Sequence, residues 1–453
     1  MRQSAMNAST SRRFPGFLTL SLAITLIGIG LSITRPYLSL FYSNIIHMSP
    51  IRLGVFTFIN GAGGIVASTW LGKLSDSRSS KKDIMLFSTV CGGLGYVSFL
   101  VIHSYWPLLI VSTLLLGLGS ATYPQLFAYA REVARLRYHG DATVAISTLR
   151  SFFSLAWVIG PLLGTWVLSL FGYQGIFTST GMVFAFVFLL VLLRLQRHLK
   201  AQTEARTASQ FESRTASQPK TQTDATETSA QSDRARTGST VSLWLTLKRT
   251  EVWMSSISFV AVSTAMTMNM MYMPLFVTRT LFASEHVVGW VFSLSAGLEI
   301  PVMIGLSAIA ARVGKRMLLL AGSIFGTAYY LGMALAGTTW EVLALQILCA
   351  VFVSIAVSIG MSYFQDFMPD APGSATTLYS NTSNLGSMAG SLLGGVVAQA
   401  LGFRSVFWFS VVLGIISYVF LLQRPSRVIL SSSDDPSTTN PLVLQNSSVT
   451  LSE

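Results

Sequence analysis

The chain has 453 residues, of which 51% are hydrophobic and only 11% are charged, and its mean hydropathy is +0.58. Because a soluble protein carries about 25% charged residues, this composition excludes a soluble globular protein and predicts a chain that crosses a membrane many times. The net charge of +12 does not require a nucleic-acid partner, since the basic residues follow a membrane topology.

Hydrophobic blocks of about twenty residues, the length that crosses a bilayer, recur along the chain. They predict twelve spans with approximate limits 16–42, 53–73, 83–103, 107–130, 143–170, 175–195, 253–278, 288–310, 317–337, 341–365, 374–400 and 404–423. The predicted fold class is therefore an all-α integral membrane protein with two six-helix halves.

A polar segment rich in Ser, Thr and Gln separates the sixth and seventh spans, and it repeats the pentapeptide Arg-Thr-Ala-Ser-Gln. This composition cannot bury a core, so it predicts disorder. The predicted domains are an N-terminal half (1–195), a cytoplasmic linker (196–250), a C-terminal half (251–423) and a cytoplasmic tail (424–453).

The distribution of Lys and Arg predicts the orientation. With both termini cytoplasmic, 25 of the 30 basic residues lie on the cytoplasmic side, whereas the opposite loops hold only Arg52, Arg279 and Arg404. This asymmetry is the one expected of an inner-membrane protein with positive inside loops. The basic residues thus predict multi-pass insertion in the cell membrane and no nucleic-acid partner.

A short basic turn follows the second span and has a counterpart, Arg-Val-Gly-Lys-Arg, after the eighth. With the division into six and six spans, it resembles the loop motif of the major facilitator superfamily, matching at Gly72, Asp76, Lys81 and Lys82. Ser77 departs from the motif, which has Arg there. The resemblance implies two halves with substrate handled between them and a gating role for the four matching residues.

Three further stretches carry a closer resemblance: Ser-Leu-Ala-Trp-Val-Ile-Gly-Pro at 154–161, Leu-Glu-Ile-Pro at 298–301, and 360–369 with 375–382. They resemble the sugar efflux transporters, a bacterial branch close to the drug:proton antiporters. Drug antiporters usually carry an Arg in the fourth span, and this chain has Thr113 and Leu116 in that region. The resemblance therefore leaves the source of the proton relay open, with Arg150 as a possible replacement.

Three charged residues lie within predicted spans and away from their ends, and they are the candidates for proton coupling. Glu299 lies near the middle of the eighth span, where a carboxylate must pair with a cation or take up a proton. Arg150 and Arg35 are the basic candidates, with snorkelling to the headgroups as the alternative, especially for Arg35. A structural carboxyl is the alternative for Glu299.

The fifth span contains Gly160, Pro161 and Gly164. Proline removes a backbone donor, which predicts a bend, and the two glycines predict close approach of another helix. We therefore predict that this stretch takes part in gating.

Polar and aromatic side chains at span depth are the candidates for substrate binding, with helix–helix contacts as the alternative for each. They are Asn60, Tyr123, Gln125, Trp157, Asn269, Tyr272, Gln365, Tyr379, Asn381 and Asn384. Amides suit sugar hydroxyls and aromatic faces suit the C–H side of a sugar.

No metal-binding, nucleophile or phosphate-binding motif is present in the sequence, so we predict no cofactor and no enzymatic activity. The sequence predicts a monomeric secondary transporter that exports small sugars or related polar solutes by proton antiport. A proton-coupled multidrug exporter and a non-transporting membrane sensor remain alternatives, and a membrane-embedded enzyme is the weakest of them.

Overall fold

A computed structural model describes residues 17–77, 81–137, 142–216, 250–369 and 371–423. These residues form thirteen α-helices and one 3₁₀ turn. The helices are α1 (Phe17–Thr34), α2 (Leu38–Asn44), α3 (Pro50–Ser77), α4 (Lys81–Val101), α5 (Tyr105–Gly119), α6 (Thr122–Arg137), α7 (Ala142–Ala216), α8 (Thr250–Arg279), α9 (Glu285–Val313), α10 (Lys315–Leu335), α11 (Thr339–Asp366), α12 (Pro372–Leu401) and α13 (Phe403–Leu422).

Ten helical segments among the described residues are long and apolar enough to cross a membrane. One of them, Thr148–Leu193, has 46 residues, about twice the length needed for one crossing. The backbone leaves the helical conformation inside it at Gly172, whose φ is 62° and ψ is −161°. Only glycine adopts this region readily, so Gly172 permits two helical arms to follow one another without a loop.

The helix α12 is not among the ten segments. The all-helical, multi-pass fold agrees with the sequence analysis, whereas the count of twelve spans and the orientation of the termini stay predictions.

Two departures from the sequence analysis concern helix boundaries. The first predicted span is divided by the 3₁₀ turn Arg35–Tyr37, because Pro36 cannot donate the backbone hydrogen bond that would continue α1. The helix α7 continues to Ala216, so the beginning of the segment predicted as a disordered linker is helical. Its residues include Ala, Leu, Gln, Glu and Arg, which favour helices. The remainder of the linker, 217–249, lies outside the described residues, as does the predicted tail from 424.

In the predicted division into halves, α1 to α7 belong to the N-terminal half and α8 to α13 to the C-terminal half. We call the end with Asn44, Tyr173 and Glu285 the sealed end, since the two halves contact each other there. We call the opposite end, with Lys82 and Lys315 at the starts of α4 and α10, the basic end.

Two arginines fix the antiparallel pair α10 and α13 in the C-terminal half. Arg316, near the start of α10, donates to the Leu421 carbonyl at 2.8 Å and the Gln423 carbonyl at 2.9 Å, at the end of α13. Arg404, near the start of α13, donates to the Ala334 carbonyl at the end of α10 at 2.8 Å. Each cation thus satisfies carbonyls that its partner helix leaves free and interacts with the negative end of the helix dipole.

Candidate functional site

Glu299 is half-buried near the middle of α9 and faces neutral polar groups. The hydroxyl of Ser295, one turn earlier, donates to its Oε1 at 3.2 Å. Ser354 of α11 donates to the Glu299 backbone carbonyl at 3.3 Å, and the thiol of Cys349 is also an electrostatic neighbour. The structure therefore places this carboxyl between α9 and α11, inside the C-terminal half.

The two basic candidates lie elsewhere. Arg150 of α7 is exposed and has Tyr123 of α6 as an electrostatic neighbour. Arg35 is also exposed, in the turn between α1 and α2, near Tyr96 of α4. Among the described residues, neither arginine forms an ion pair with Glu299. In the described part of the chain, the structure therefore does not bring the basic candidates and the acidic candidate together.

Polar side chains continue from Glu299 through the interior of the C-terminal half. Cys349 lies against Ser295 on one side and against the Tyr329 hydroxyl of α10 on the other. Tyr329, which is fully buried, donates to Asn269 Oδ1 of α8 at 3.0 Å. Ser295, Cys349, Tyr329 and Asn269 thus form a polar chain that connects α9, α11, α10 and α8. Asn269, predicted to bind substrate, directs its carbonyl oxygen to this chain.

Two other predicted substrate residues, Tyr272 and Asn60, have different surroundings. Tyr272 is fully buried, and its hydroxyl donates to the Pro50 carbonyl of α3 at 3.4 Å and the Ser391 carbonyl of α12 at 3.5 Å. Asn60 of α3 donates to the Phe56 carbonyl at 2.9 Å, and its buried Oδ1 has no hydrogen-bond partner. A buried amide oxygen without a donor is costly, and the role of Asn60 in substrate binding stays a prediction.

The other predicted substrate residues are divided between the halves. Tyr123 is half-buried and packs on Phe153, with 4.4 Å between ring centroids. Gln365 donates to Thr376 at 3.1 Å. The remaining residues are Gln125, which is buried, Trp157, Tyr379 and Asn384, which are half-buried, and Asn381, which is exposed. Their role in binding stays a prediction.

The predicted gating stretch of α7 packs on α1. A Cβ atom added to Gly160 would collide with the Ser32 side chain, and one added to Gly164 would lie 2.7 Å from the Ile33 carbonyl. Ser32 donates to the Ala156 carbonyl at 2.9 Å. The two glycines of this stretch therefore face a helix of the same half. The backbone of Pro161 keeps helical dihedral angles, and the break in α7 is at Gly172.

The gating motif near the second span is only partly described. Lys82 is buried, and Gly72 has no atom within 4 Å of an added Cβ. The side chains of Asp76 and Lys81 lie outside the described part of the chain.

Close packing between the halves involves residues that sequence analysis missed. A Cβ atom on Gly289 of α9 would lie 2.6 Å from the Tyr37 hydroxyl and 2.7 Å from the Pro161 carbonyl, and would collide with Thr165. Tyr37 itself bonds to Thr165 at 2.6 Å. Pro36, next to Tyr37, is a sequence signal for the break that the predicted first span did not include, whereas nothing in the sequence identifies the partner of Gly289.

The contact between α3 and α12 changes along the helix. A Cβ atom on Gly54 would collide with the Ser391 carbonyl of α12, whereas one on Gly61 or Gly72 would have no atom within 4 Å. Gly61 and Gly72 follow Gly54 by seven and eighteen residues, which are close to whole numbers of helical turns. The three glycines therefore share one face of α3. That face touches α12 near the sealed end and meets open space towards the basic end.

Within the described residues, no group of three or more His, Cys, Asp or Glu side chains is placed to hold a metal ion.

Comparison with known proteins supports a transporter. The family model described as Major Facilitator Superfamily matches residues 20–281 and 255–450. The chain is 32% identical to sugar efflux transporter B of Salmonella typhimurium, over 88% of this chain and 93% of that protein. It is also 32% identical to sugar efflux transporter A of Dickeya chrysanthemi, over 88% of this chain and 94% of that protein.

Solved structures share the fold at low sequence identity. The nucleoside transporter NupG superposes with a TM-score of 0.70 at 12% identity, covering 91% of this chain and all of NupG. A bacterial homologue of the iron transporter ferroportin superposes with a TM-score of 0.66 at 13% identity, covering 89% of this chain and 97% of that one. The chain belongs to the major facilitator superfamily and, within it, to the sugar efflux transporters; it is a multi-pass membrane transporter and not an enzyme.

Proposed function

We propose that this transporter exports small sugars or related polar solutes, driven by protons that move inward through the same protein. The relatives at 32% identity are named sugar efflux transporters, which supports sugar as the substrate class. The chain contains both halves, so we infer that a monomer carries out transport. In the proposed orientation, the basic end faces the cytoplasm, in line with the distribution of Lys and Arg.

The observation that carries proton coupling is the environment of Glu299. Its carboxyl is half-buried at the middle of a span and accepts a hydrogen bond from Ser295, with no ion pair among the described residues. A carboxyl with neutral partners can gain or lose a proton without leaving a buried cation unpaired. A proton bound from one side of the membrane and released to the other would then drive export.

The glycine face of α3 supports alternating access. This face touches α12 at Gly54 and meets open space at Gly61 and Gly72. A sealed end and a diverging basic end correspond to a pathway that is open on one side only. We propose that the opposite state closes the basic end and separates Gly54 from α12.

The test is transport by the purified protein in liposomes with an imposed pH gradient. Radiolabelled mono- and disaccharides are compared with a panel of amphipathic drugs, and an ionophore that collapses the gradient provides the control. We expect at least one sugar to accumulate on the side from which protons leave, and the ionophore to abolish this accumulation. Accumulation of drugs alone would contradict sugar export, and accumulation unaffected by the ionophore would contradict proton coupling.

A further inference from the structure

One side chain of the N-terminal half lies between two opposite charges of the C-terminal half at the sealed end. Arg279, the last residue of α8, donates from Nη2 to Asn44 Oδ1 at 2.8 Å. Asn44 donates from Nδ2 to Glu285 Oε1, at the start of α9, at 3.0 Å. Arg279 and Glu285 therefore flank one loop, and an amide from the other half connects them.

A tyrosine of the N-terminal half completes the group. The Tyr173 hydroxyl donates to the same oxygen of Glu285 at 2.7 Å and accepts from Asn44 Nδ2 at 3.3 Å. Tyr173 directly follows Gly172, whose left-handed φ of 62° reverses the chain between the two arms of α7. The turn that only glycine adopts readily thus brings the tyrosine to the sealed end.

The amide of Asn44 matches its surroundings in polarity at both ends. Its carbonyl oxygen accepts from a guanidinium, and its NH₂ group donates to a carboxylate. Hydrogen bonds with an ionised partner are about twice as strong as neutral ones. Aspartate has the same shape, but it would place a second carboxylate beside Glu285. The site therefore requires an amide.

We propose that Asn44, Tyr173, Arg279 and Glu285 form an amide clamp that holds the sealed end closed, and that Asn44 determines how often this end opens. The clamp rests on the alternating access of the proposed function. All of its bonds to Glu285 come from the other half, so separation of the halves breaks them together. Its strength sets the balance between the two states of the transporter.

The test measures the width of the sealed end directly. Spin labels are attached to cysteines that replace Ser104 and Trp340, two exposed residues at this end in opposite halves. The native Cys91 and Cys349 are buried, and the parent protein without new cysteines shows how far they take up label. Distances between the labels are measured by pulsed electron paramagnetic resonance in lipid nanodiscs, without sugar or a gradient.

We expect Asn44→Ala to raise the population with a long distance about tenfold, the factor that corresponds to about 1.4 kcal/mol. Asn44→Asp should raise it at least as much, because the new carboxylate repels Glu285. Tyr173→Phe keeps the ring but removes the bond to Glu285 and the longer bond from Asn44. It leaves the Asn44 bridge between Arg279 and Glu285 intact, so it should have a smaller effect in the same direction. The Tyr173→Phe variant also tests the clamp if either Asn44 variant fails to fold.

The matched control is Glu341→Gln. Glu341 is a carboxylate at the same end, but its hydrogen bonds are with Gly337 and Thr338 of its own hairpin, whose amides donate at 2.7 Å and 3.1 Å. We expect no change in distance for this variant. The clamp is overturned if the folded Asn44 and Tyr173 variants keep the parent distances, or if Glu341→Gln opens the end equally. Because no substrate is present, failure of sugar transport in liposomes would contradict the proposed function and leave the clamp standing.

Discussion

The candidate coupling residues have different surroundings in the two halves of the transporter. In the N-terminal half, Arg35 and Arg150 are exposed, whereas in the C-terminal half Glu299 is half-buried among neutral polar groups. Around Glu299, the side chains of Ser295 and Cys349 begin a polar chain across the interior. The difference indicates that proton coupling, as we propose it, belongs to the C-terminal half and needs no cation from the other half.

Apart from the change at Glu299 itself, the largest expected effect concerns the surface on which the halves meet. Gly289→Ala would push a methyl group against Tyr37, Thr165 and the Pro161 carbonyl. Overpacking of this kind costs about 1–3 kcal/mol, so we expect the closed state of the sealed end to weaken and sugar accumulation to fall about tenfold. Time courses of sugar uptake in liposomes with an imposed pH gradient measure the accumulation.

The control for this variant lies on the same helix. A Cβ atom on Gly297 would lie 3.8 Å from Val158, an ordinary contact, so Gly297→Ala should transport normally. If both variants transport like the parent protein, the contact at Gly289 is not needed for closure.

A smaller effect is expected when the C-terminal half loses one of the two arginines that donate to carbonyls at the end of a neighbouring helix. Arg316→Ala leaves the last carbonyls of α13, including that of Leu421, without a charged donor. Hydrogen bonds with charged groups contribute about 1.5–3 kcal/mol, so the unfolding temperature should fall by several degrees. Differential scanning fluorimetry in detergent measures it, with Arg312→Ala as an exposed basic control on α9. Equal unfolding temperatures for the two variants would contradict a stabilising role of Arg316 at the end of α13.

The polar chain predicts a more modest change. Tyr329→Phe keeps the buried ring and removes the donor to Asn269 Oδ1. An unsatisfied buried acceptor costs about 1–3 kcal/mol, so stability should fall by about 1 kcal/mol. Tyr330→Phe is a matched control at the neighbouring buried tyrosine. If this polar chain of side chains also positions Glu299, Tyr329→Phe should alter the pH dependence of transport and Tyr330→Phe should not. Identical pH profiles for the two variants would limit Tyr329 to a packing role.

The smallest effect is expected at the basic end. Lys315 and Asp366 form an ion pair at 2.6 Å, with side chains that are 33% and 56% exposed. Exposed pairs contribute about 0–1 kcal/mol, so Asp366→Asn should change stability and sugar transport little. A loss of gradient-driven transport in this variant would place a coupling carboxylate at the basic end and weaken the case for Glu299.

The sequence predicts some of these features and leaves others open for a physical reason. Span lengths and the cost of a carboxylate in lipid identify the membrane class and single out Glu299. The direction of a side chain depends on which helices become neighbours, and this cannot be read from spacing alone. Asn269 therefore bonds to Tyr329 inside one half, and Arg150 lies beside Tyr123 instead of Glu299.

The glycines show the same limit. The pair in α7 was recognised by its spacing of four residues, whereas Gly289 has no such signature. Its importance follows from Tyr37, which reaches α7 and α9 from a turn created by proline. Similarly, the sequence shows Asn44 only as a polar residue at a helix end. Its position between Arg279 and Glu285 follows from the fold.

The central claim is that Glu299 of the C-terminal half couples sugar export to protons. The most direct test measures sugar transport by the Glu299→Gln variant in two modes. Glutamine keeps the size of the side chain and an acceptor for Ser295 but cannot release a proton. In liposomes with equal pH on both sides, we expect exchange of labelled for unlabelled sugar at close to the parent rate. With an imposed pH gradient, we expect no accumulation. Accumulation equal to that of the parent protein would contradict the claim.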